Sequence, residues 1–248
     1  MLHGGTRHTL DRVSGIDGST SVVKLPRGLG MGLLVLLGIQ IVLLAAVVGA
    51  LANRIQVIEK IRSGQVLGPS EAESADNLVA AAGSIEGWFW IATFVVWILW
   101  QFRAQRAARE LSSVRRFRFT PGWAIGWWFI PIASFWMPFE TVRELWKASE
   151  GRPDWPDIPT WSVIGWWWGA FLAWLAALNI ASALTEEVVT PDGVIRRDEW
   201  FMVALVIGVA ATVLAMTIVG AIRSRQDDAT ELRSLIRPSA PSRIPPPP

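Results

Sequence analysis

The sequence predicts an all-α membrane protein with four transmembrane helices, a proline-broken, tryptophan-rich segment that is re-entrant or interfacial, and a cytoplasmic amphipathic helix. Three observations predict this class. Hydrophobic residues make up 52% of the 248 residues, and the mean hydropathy is +0.36. These residues are gathered into long runs, which is typical of segments that cross a bilayer. Arginine and lysine are concentrated in alternate connecting segments, as in multi-pass membrane proteins.

The four apolar runs predict transmembrane spans at about residues 28–52, 80–103, 161–183 and 199–222. The first run has about 25 residues, which at 1.5 Å per residue cover more than the roughly 30 Å hydrocarbon core. It is also too long for the apolar core of a cleavable signal peptide, which has about 7–15 residues. We therefore interpret it as a retained span, and the four runs together predict one membrane domain over residues 28–222.

Local signals predict where individual helices begin and end. Ser70 and Glu73 have the spacing of a capping box, which predicts the start of the second long helix. Pro191, Asp192 and Gly193 favour a tight turn between the third and fourth spans, with a short hairpin as one form of that turn.

The two ends of the chain are predicted to lie outside the membrane domain. Residues 1–27 are polar and rich in glycine, serine and threonine, which predicts a flexible cytoplasmic tail. Residues 223–248 become polar and then proline-rich, which predicts a disordered cytoplasmic tail.

The distribution of positive charge predicts the orientation. The two tails and the segment between the second and third spans carry 18 arginine and lysine residues, whereas the other two connections carry 5. Because positive charge is retained on the cytoplasmic side, both termini and the central segment are expected there. A fifth span at residues 123–139 would place the basic carboxyl tail outside, so four spans fit better. The predicted location is the cytoplasmic membrane.

The central segment, residues 121–150, is apolar but is interrupted by two prolines. Pro131 and Pro138 each lack a backbone donor and disfavour helix in the preceding residue, so one straight helix through both is improbable. We expect this segment to dip into the membrane or to lie flat on it.

The end of this segment has the pattern of an amphipathic helix. Pro138 suits a first helical position and Gly151 suits the end of the helix. The apolar face is predicted to contain Phe139, Val142, Leu145 and Trp146, and the polar face Glu140, Arg143, Glu144 and Lys147. Such a helix is predicted to lie at the inner leaflet.

These features together resemble a known family. An arginine-rich turn with Arg103 and Arg106 precedes the motif PGWAIGWWFIPIASFWMPFETVRELWKAS. Its most specific positions are Pro121, Gly122, Trp123, Trp127, Pro131, Pro138 and Trp146. The chain resembles, over about residues 28–222, the bacterial domain of unknown function 4328, which is widespread in actinobacteria. The resemblance implies a bacterial four-span membrane protein with no established activity, and it transfers no catalytic residue.

Sixteen tryptophans and no tyrosine require an explanation of their own. Tryptophan favours the headgroup boundary, where its apolar body and its N–H group are both satisfied, so anchoring and packing in the lipid bilayer are the first interpretation. The alternative is that these rings, with the neighbouring arginines, hold anionic lipid headgroups or a lipid-linked substrate by charge and cation–π contact.

Three polar side chains lie within the predicted spans. Gln40 is near the centre of the first span, Glu86 in the outer half of the second and Asn179 in the outer half of the third. Facing one another, they would form a polar cavity for a proton, a cation or a small polar ligand. The alternative is that Glu86 lies at the boundary and that Gln40 and Asn179 form hydrogen bonds between helices.

Soluble-enzyme chemistry has little support in the sequence. Cysteine is absent, and both histidines, His3 and His8, lie in the amino-terminal tail, so no cofactor or metal is predicted. The net charge is only +2, and the arginines adjoin apolar runs, which does not favour nucleic acid as a partner.

Three functional classes follow. We favour a non-enzymatic membrane interaction, scaffold or regulatory module that meets protein partners through its cytoplasmic segments. The second class is a small transporter or channel that uses Gln40, Glu86 and Asn179. The third is an enzyme acting on lipids with the tryptophan and arginine face as its platform, for which Glu110 and Glu140 are the available acids.

Overall fold

The structure is a computed structural model that describes residues 25–112, 114, 116–184 and 190–236. Within these residues it is all-helical, without a strand. The α-helices are α1 (Arg27–Arg62), α2 (Pro69–Leu111), α3 (Pro121–Gly126), α4 (Met137–Ala148), α5 (Ser162–Ala183) and α6 (Pro191–Ile236). Three 3-10 turns lie at Trp127–Phe129, Ala133–Phe135 and Trp155–Asp157.

The four predicted spans are confirmed as helices long and apolar enough to cross a membrane. They are α1, α2, α5 and α6, with 36, 43, 22 and 46 residues. About 20 apolar residues are sufficient to span the hydrocarbon core, so α1, α2 and α6 extend well beyond it. The chain is therefore a multi-pass, all-α membrane protein.

The start of α2 differs from the predicted capping box. The helix begins at Pro69, its N-cap is Gly68, and no side chain caps it. Ser70 instead accepts a hydrogen bond at its carbonyl from Ser74 Oγ, at 2.6 Å. Proline has a fixed φ and no N–H group to satisfy, so it begins a helix without a side-chain cap.

The predicted turn at Pro191–Gly193 is wrong, because these residues form the first turn of α6. Thr190 caps this turn, since its Oγ1 accepts a hydrogen bond from the Gly193 backbone N–H at 3.1 Å. The turn prediction read Pro191 as a break, whereas proline after a capping threonine is also a helix-start signal. Residues 185–189, where a hairpin was expected to begin, lie outside the described residues.

The helix α6 also continues past the predicted end of the membrane domain at residue 222. It is helical as far as Ile236, because Gln226 and Ala229 are buried against the rest of the protein. Residues 223–236, which were predicted to be disordered, are therefore helical. Residues 1–24 and 237–248, the remainder of the two predicted tails, lie outside the described part of the chain.

The four long helices form a bundle in which some neighbouring helices pack closely and others do not. The helix α1 packs against α2 and α6, and α5 packs against α6. The backbones of α2 and α5 barely approach each other. One buried apolar core includes Leu37, and a second, further along α1, includes Leu44. The backbones therefore leave a gap between α2 and α5. Along the bundle axis, a further space lies between the two apolar cores.

The central segment folds into a compact cap on one end of this bundle. We call residues 116–161, with α3, α4 and the three 3-10 turns, the cap. The helix α4 forms where an amphipathic helix was predicted, and Gly151 follows it with a φ of +70°. Its apolar face is covered by the protein itself, since Val142 and Leu145 are completely buried. Glu144, predicted on the polar face, is buried as well.

Candidate functional site

The structure brings together two of the three predicted intramembrane polar residues. Gln40 of α1 is 2% exposed, and its Nε2 donates a hydrogen bond to Glu86 Oε1 of α2 at 2.6 Å. Within the described residues, the other oxygen of Glu86, Oε2, accepts no hydrogen bond. The carboxylate is therefore held in place by one oxygen and available through the other.

Asn179 does not belong to this pair. Its Nδ2 donates to the carbonyl of Leu175, one turn earlier in α5, at 2.7 Å, and its side chain is exposed. An amide that bonds to its own helix in this way contributes nothing to a polar cavity. The predicted trio is thus reduced to Gln40 and Glu86.

The pair lines a cavity inside the bundle at the level between the two apolar cores. The cavity measures about 90 Å³ and is lined by α1, α2, α5, α6 and the turn Trp127–Phe129. A single water needs roughly 10–15 Å³. Glu86 is the only charged side chain among the lining residues, and the other polar ones are Gln40, Thr93 and Thr212. The site is thus acidic, mostly apolar and large enough for a small ligand.

Several polar atoms at this cavity lack partners. Within the described part of the structure, no hydrogen bond reaches Gln40 Oε1, Thr93 Oγ1, Trp97 Nε1 or Trp174 Nε1, and all four residues line the cavity. A buried polar group without a partner costs about 1–3 kcal/mol. A water or a ligand in the cavity would recover part of this cost.

Five aromatic residues close the gap between α2 and α5. We call them the aromatic frame: Trp90, Phe94, Trp128, Phe171 and Trp174. Their centroids follow one another around a closed circuit at 5.4, 5.6, 5.9, 5.7 and 5.7 Å. All five line the cavity and each is half-buried. The cavity therefore has an aromatic wall that faces the outside of the bundle.

At the cavity wall, Gly208 of α6 leaves room for the side chain of Trp174. A Cβ at this position would lie 3.1 Å from both Cδ1 and Nε1 of Trp174. The indole therefore occupies the space that any larger residue at 208 would fill. Gly208 sets the position of one member of the aromatic frame.

The cap is fixed to the bundle by buried glutamines that the sequence analysis did not single out. Gln101 Nε2 donates to Thr141 Oγ1 at 3.1 Å, and Gln101 Oε1 accepts from Trp128 Nε1 at 3.1 Å. Gln105 Nε2 donates to the carbonyl of Thr141 at 3.0 Å. From α6, Gln226 Nε2 donates to Ser149 Oγ of the cap at 3.2 Å. Gln101 and Gln105 lie one helical turn apart at the end of an apolar run. This spacing places both amides on one face of the helix, and it could have indicated a polar contact with another segment.

The motif residues predicted at the membrane interface take several different positions. Pro121 begins α3 after Thr120, whose side chain caps the helix, and the exposed Gly122 follows it. The exposed Trp123 lies 4.8 Å from the Trp127 ring, centroid to centroid. The remaining motif residues are the exposed Pro131, Arg103 and Arg106, the buried Pro138, and Trp146, which lies beneath the Arg225 guanidinium at 3.7 Å.

A second, basic cavity lies in the cap. It measures about 180 Å³, and its charged lining consists of Arg116, Arg118, Arg143, Lys147, Glu140 and Glu144. The carboxylate of Glu144 accepts hydrogen bonds from the backbone N–H groups of Arg118 and Phe119, at 2.5 and 3.3 Å. Burial raises the pKa of the Glu144 carboxyl above its ordinary value, and these hydrogen bonds offset only part of the rise.

A partly buried ion pair ties α1 to α6 at the other end of the bundle. Arg54 Nη2 lies 2.6 Å from Asp198 Oδ1, and Arg54 Nε lies 2.7 Å from Asp198 Oδ2, so the contact is bidentate. The Asp198 side chain is 0% exposed. Within the described residues, no group of three acidic or histidine side chains could hold a metal ion.

Comparison with known proteins assigns a family. The model of the family described as Domain of unknown function (DUF4328) matches residues 63–224. The chain belongs to the DUF4328 family. No curated protein and no solved structure matches it. The DUF4328 match includes Glu86, the aromatic frame and the cap but begins after α1, so Gln40 lies outside it and the matched range is shorter than the predicted 28–222.

Proposed function

We propose that this protein is a small membrane transporter that binds a cation or a small polar ligand at Glu86. One observation carries the proposal: the Glu86 carboxylate is held by Gln40 at the wall of a cavity within the four-helix bundle. An ionisable side chain at membrane depth costs about 2.5–3.5 kcal/mol, and such residues are commonly part of a substrate or ion pathway. The unpartnered polar atoms at the same cavity support a site that a ligand completes.

The alternative of an interaction or scaffold module has less support from the described residues. That interpretation assigned partner binding to the cytoplasmic segments, among them the amphipathic helix α4. The apolar face of α4 is instead packed against α2, α5 and α6, where Val142 and Leu145 are inaccessible. Protein partners would have to dock on other cytoplasmic surfaces.

The basic cavity in the cap supports a proposed contact with anionic lipid headgroups. Its basic side chains Arg116, Arg118, Arg143 and Lys147 outnumber Glu140 and Glu144. Of the acids available for a lipid-acting enzyme, Glu140 lies 2.6 Å from the Arg143 guanidinium, an ion pair that suits a structural role. We therefore assign this cavity to lipid contact and not to catalysis.

We further propose a bacterial cytoplasmic membrane as the location, with both termini and the cap in the cytoplasm. The support is the excess of basic residues in those segments, 18 against 5. A topology reporter fused after Arg118 is expected to give a cytoplasmic signal, and the same reporter fused after Gly193 is expected to give an external signal. The opposite pair of signals would reverse the orientation.

Charge movement in reconstituted vesicles tests the transport proposal. Purified protein in proteoliposomes is exposed to concentration steps of H⁺, Na⁺, K⁺ or an organic ammonium ion, and the resulting current is recorded on a solid-supported membrane. We expect a current in the wild type that Glu86→Gln reduces at least tenfold. Glu73→Gln is the matched control, because Glu73 is an exposed acid of the same helix. A current unaffected by Glu86→Gln would refute the proposal.

A further inference from the structure

The aromatic frame and Glu86 together define the kind of ligand the cavity fits. We propose that the ligand is a hydrophobic organic monocation, such as one with a quaternary ammonium head and an apolar body. This inference rests on the proposed function and deepens it, since the transport proposal specifies only that a cation or polar ligand binds at Glu86.

The charge of the lining selects the sign of the ligand. Glu86 is the sole charged residue of the lining, and no arginine or lysine contributes to it. The faces of aromatic rings carry partial negative charge and attract cations. An anion would meet a carboxylate with nothing to compensate it, so the cavity disfavours anions.

The spacing of the aromatic frame fits a cation of more than atomic size. Neighbouring centroids are 5.4 to 5.9 Å apart around the closed circuit. Five centroids spaced in this way on a regular pentagon lie roughly 5 Å from its centre, and a cation–π contact acts within about 6 Å of a centroid. A bulky ammonium head near the centre would therefore lie close to every ring of the frame. Because the Trp90 and Phe94 planes are parallel, within 3°, the head would meet the faces of some rings and the edges of others.

The polar groups present do not suit a hard metal cation. Calcium takes 6–8 oxygen ligands and magnesium needs near-octahedral coordination. The lining offers one carboxylate, the Gln40 amide and the hydroxyls of Thr93 and Thr212. A single carboxylate with aromatic neighbours instead matches a weakly hydrated organic cation, whose charge needs one counter-charge and whose surface needs apolar contact.

The position of the aromatic frame offers a route into the cavity for such a ligand. Its members come from α2, α5 and the turn Trp127–Phe129, and they fill the space where the backbones of α2 and α5 barely approach each other. Because each of the five side chains is half-buried, the frame has an outer face that lies on the apolar surface of the bundle. A hydrophobic cation dissolved in the bilayer would approach Glu86 from this outer face and would have to move these side chains apart to enter.

Binding of a charged probe and its neutral isostere tests the ligand class. The full chain in detergent is titrated calorimetrically with benzyltrimethylammonium and, separately, with neopentylbenzene, which has the same shape without the charge. We expect the cation to bind the wild type at least tenfold more tightly. This comparison requires no variant, so it stands even where a substitution prevents folding. Equal affinity for both probes, or no binding of the cation, would overturn the inference.

Two variants assign the binding to the site. Glu86→Gln is expected to weaken benzyltrimethylammonium at least tenfold and Trp90→Leu about fivefold. Trp88→Leu is the control, because Trp88 is on the same helix but is 74% exposed and does not line the cavity. Binding that is insensitive to both cavity variants would place the cation elsewhere and overturn the inference.

The transport assay separates this inference from the proposed function. Absence of benzyltrimethylammonium binding with a Glu86-dependent current of H⁺, Na⁺ or K⁺ refutes the ligand class and leaves the transporter. Absence of both refutes the two proposals together.

Discussion

Gln40 in the bundle and Gln101 beneath the cap are both almost completely buried, yet their hydrogen bonding is unequal. Gln101 uses both ends of its amide, bonding to Thr141 and to Trp128. Gln40 uses only its Nε2, and its Oε1 has no partner within the described residues. An unpaired amide oxygen is not enough to identify a ligand site, because Gln105 Oε1 beneath the cap also lacks a partner. The difference is that Gln40 lines a cavity, where a ligand can reach its unpaired oxygen. Similar residues thus have structural and functional roles according to their surroundings.

The largest expected effect on stability comes from a buried ion pair, which extends the comparison from amides to charged side chains. Asp198→Ala leaves Arg54, whose side chain is 13% exposed, without its bidentate partner. We expect a loss of about 3 kcal/mol in the free energy of unfolding, since the only acid of the described residues still paired with Arg54 is the exposed Asp76, at 3.4 Å. Unfolding in detergent, followed by circular dichroism, measures it.

Asp192→Ala is the matched control for that variant. Asp192 also joins α6 to α1, through Arg62 at 2.9 Å, but its side chain is 71% exposed. Exposed pairs contribute about 0–1 kcal/mol, so this variant should be nearly as stable as the wild type. Equal losses in the two variants would show that burial does not control the strength of these pairs.

The second prediction tests the two glutamines directly. Gln101→Leu leaves Trp128 Nε1 without a partner and removes the amide that donates to Thr141 Oγ1, and we expect a cost of about 1–3 kcal/mol. Gln40→Leu removes an amide whose oxygen is already unpaired. Glu86 loses its hydrogen bond to Gln40, but its side chain is only half-buried, so the cost should be below about 1 kcal/mol. Thermal unfolding of both variants in one detergent makes the comparison. A larger loss for Gln40→Leu would reverse the roles assigned to the two regions.

The third prediction changes the cavity without changing its polar groups. In Gly208→Ala the new Cβ displaces the Trp174 indole, which lies at 3.1 Å, and we expect a several-fold loss of benzyltrimethylammonium affinity. The stability should change by no more than about 1 kcal/mol, because alanine favours helix over glycine by about that amount and offsets the crowding.

Gly220→Ala provides the comparison on the same helix, since a Cβ there meets no atom within 4 Å. Its affinity should equal that of the wild type. If Gly208→Ala binds the cation as tightly as Gly220→Ala does, Trp174 is not part of the binding site.

The smallest expected effect concerns Glu144 in the cap. Its raised pKa means that protonation is more favourable in the folded protein, so the free energy of unfolding should fall as the pH rises from the ordinary glutamate value of 4.5 through the raised one. In Glu144→Gln this fall should be absent, whatever the absolute stability of the variant. Unfolding temperatures across this pH range measure the two slopes, and parallel curves would contradict the assignment.

The sequence predicts the four helices because their length and hydropathy alone decide whether a segment can cross a bilayer. It also predicts α4, whose apolar spacing is local. The cover over α4 could not be predicted, because a face such as Val142 and Leu145 packs equally well against lipid or protein. The start of α6 was missed because Pro191 permits both a turn and a first helical position.

The candidate site shows the same division. Gln40 and Glu86 were identifiable as polar residues within apolar runs, but Asn179 has the same signature and bonds to its own helix. The aromatic frame joins α2, α5 and the cap, segments far apart in the chain. A contact between such segments depends on the packing of the whole bundle, which no local pattern encodes.

Trp128 belongs to both regions. Its ring is part of the aromatic frame, and its Nε1 donates to Gln101 beneath the cap. A ligand that turns this indole does so against that hydrogen bond, so occupancy of the cavity and seating of the cap influence each other reciprocally. Trp128 therefore connects the proposed ligand site to the cap through one side chain.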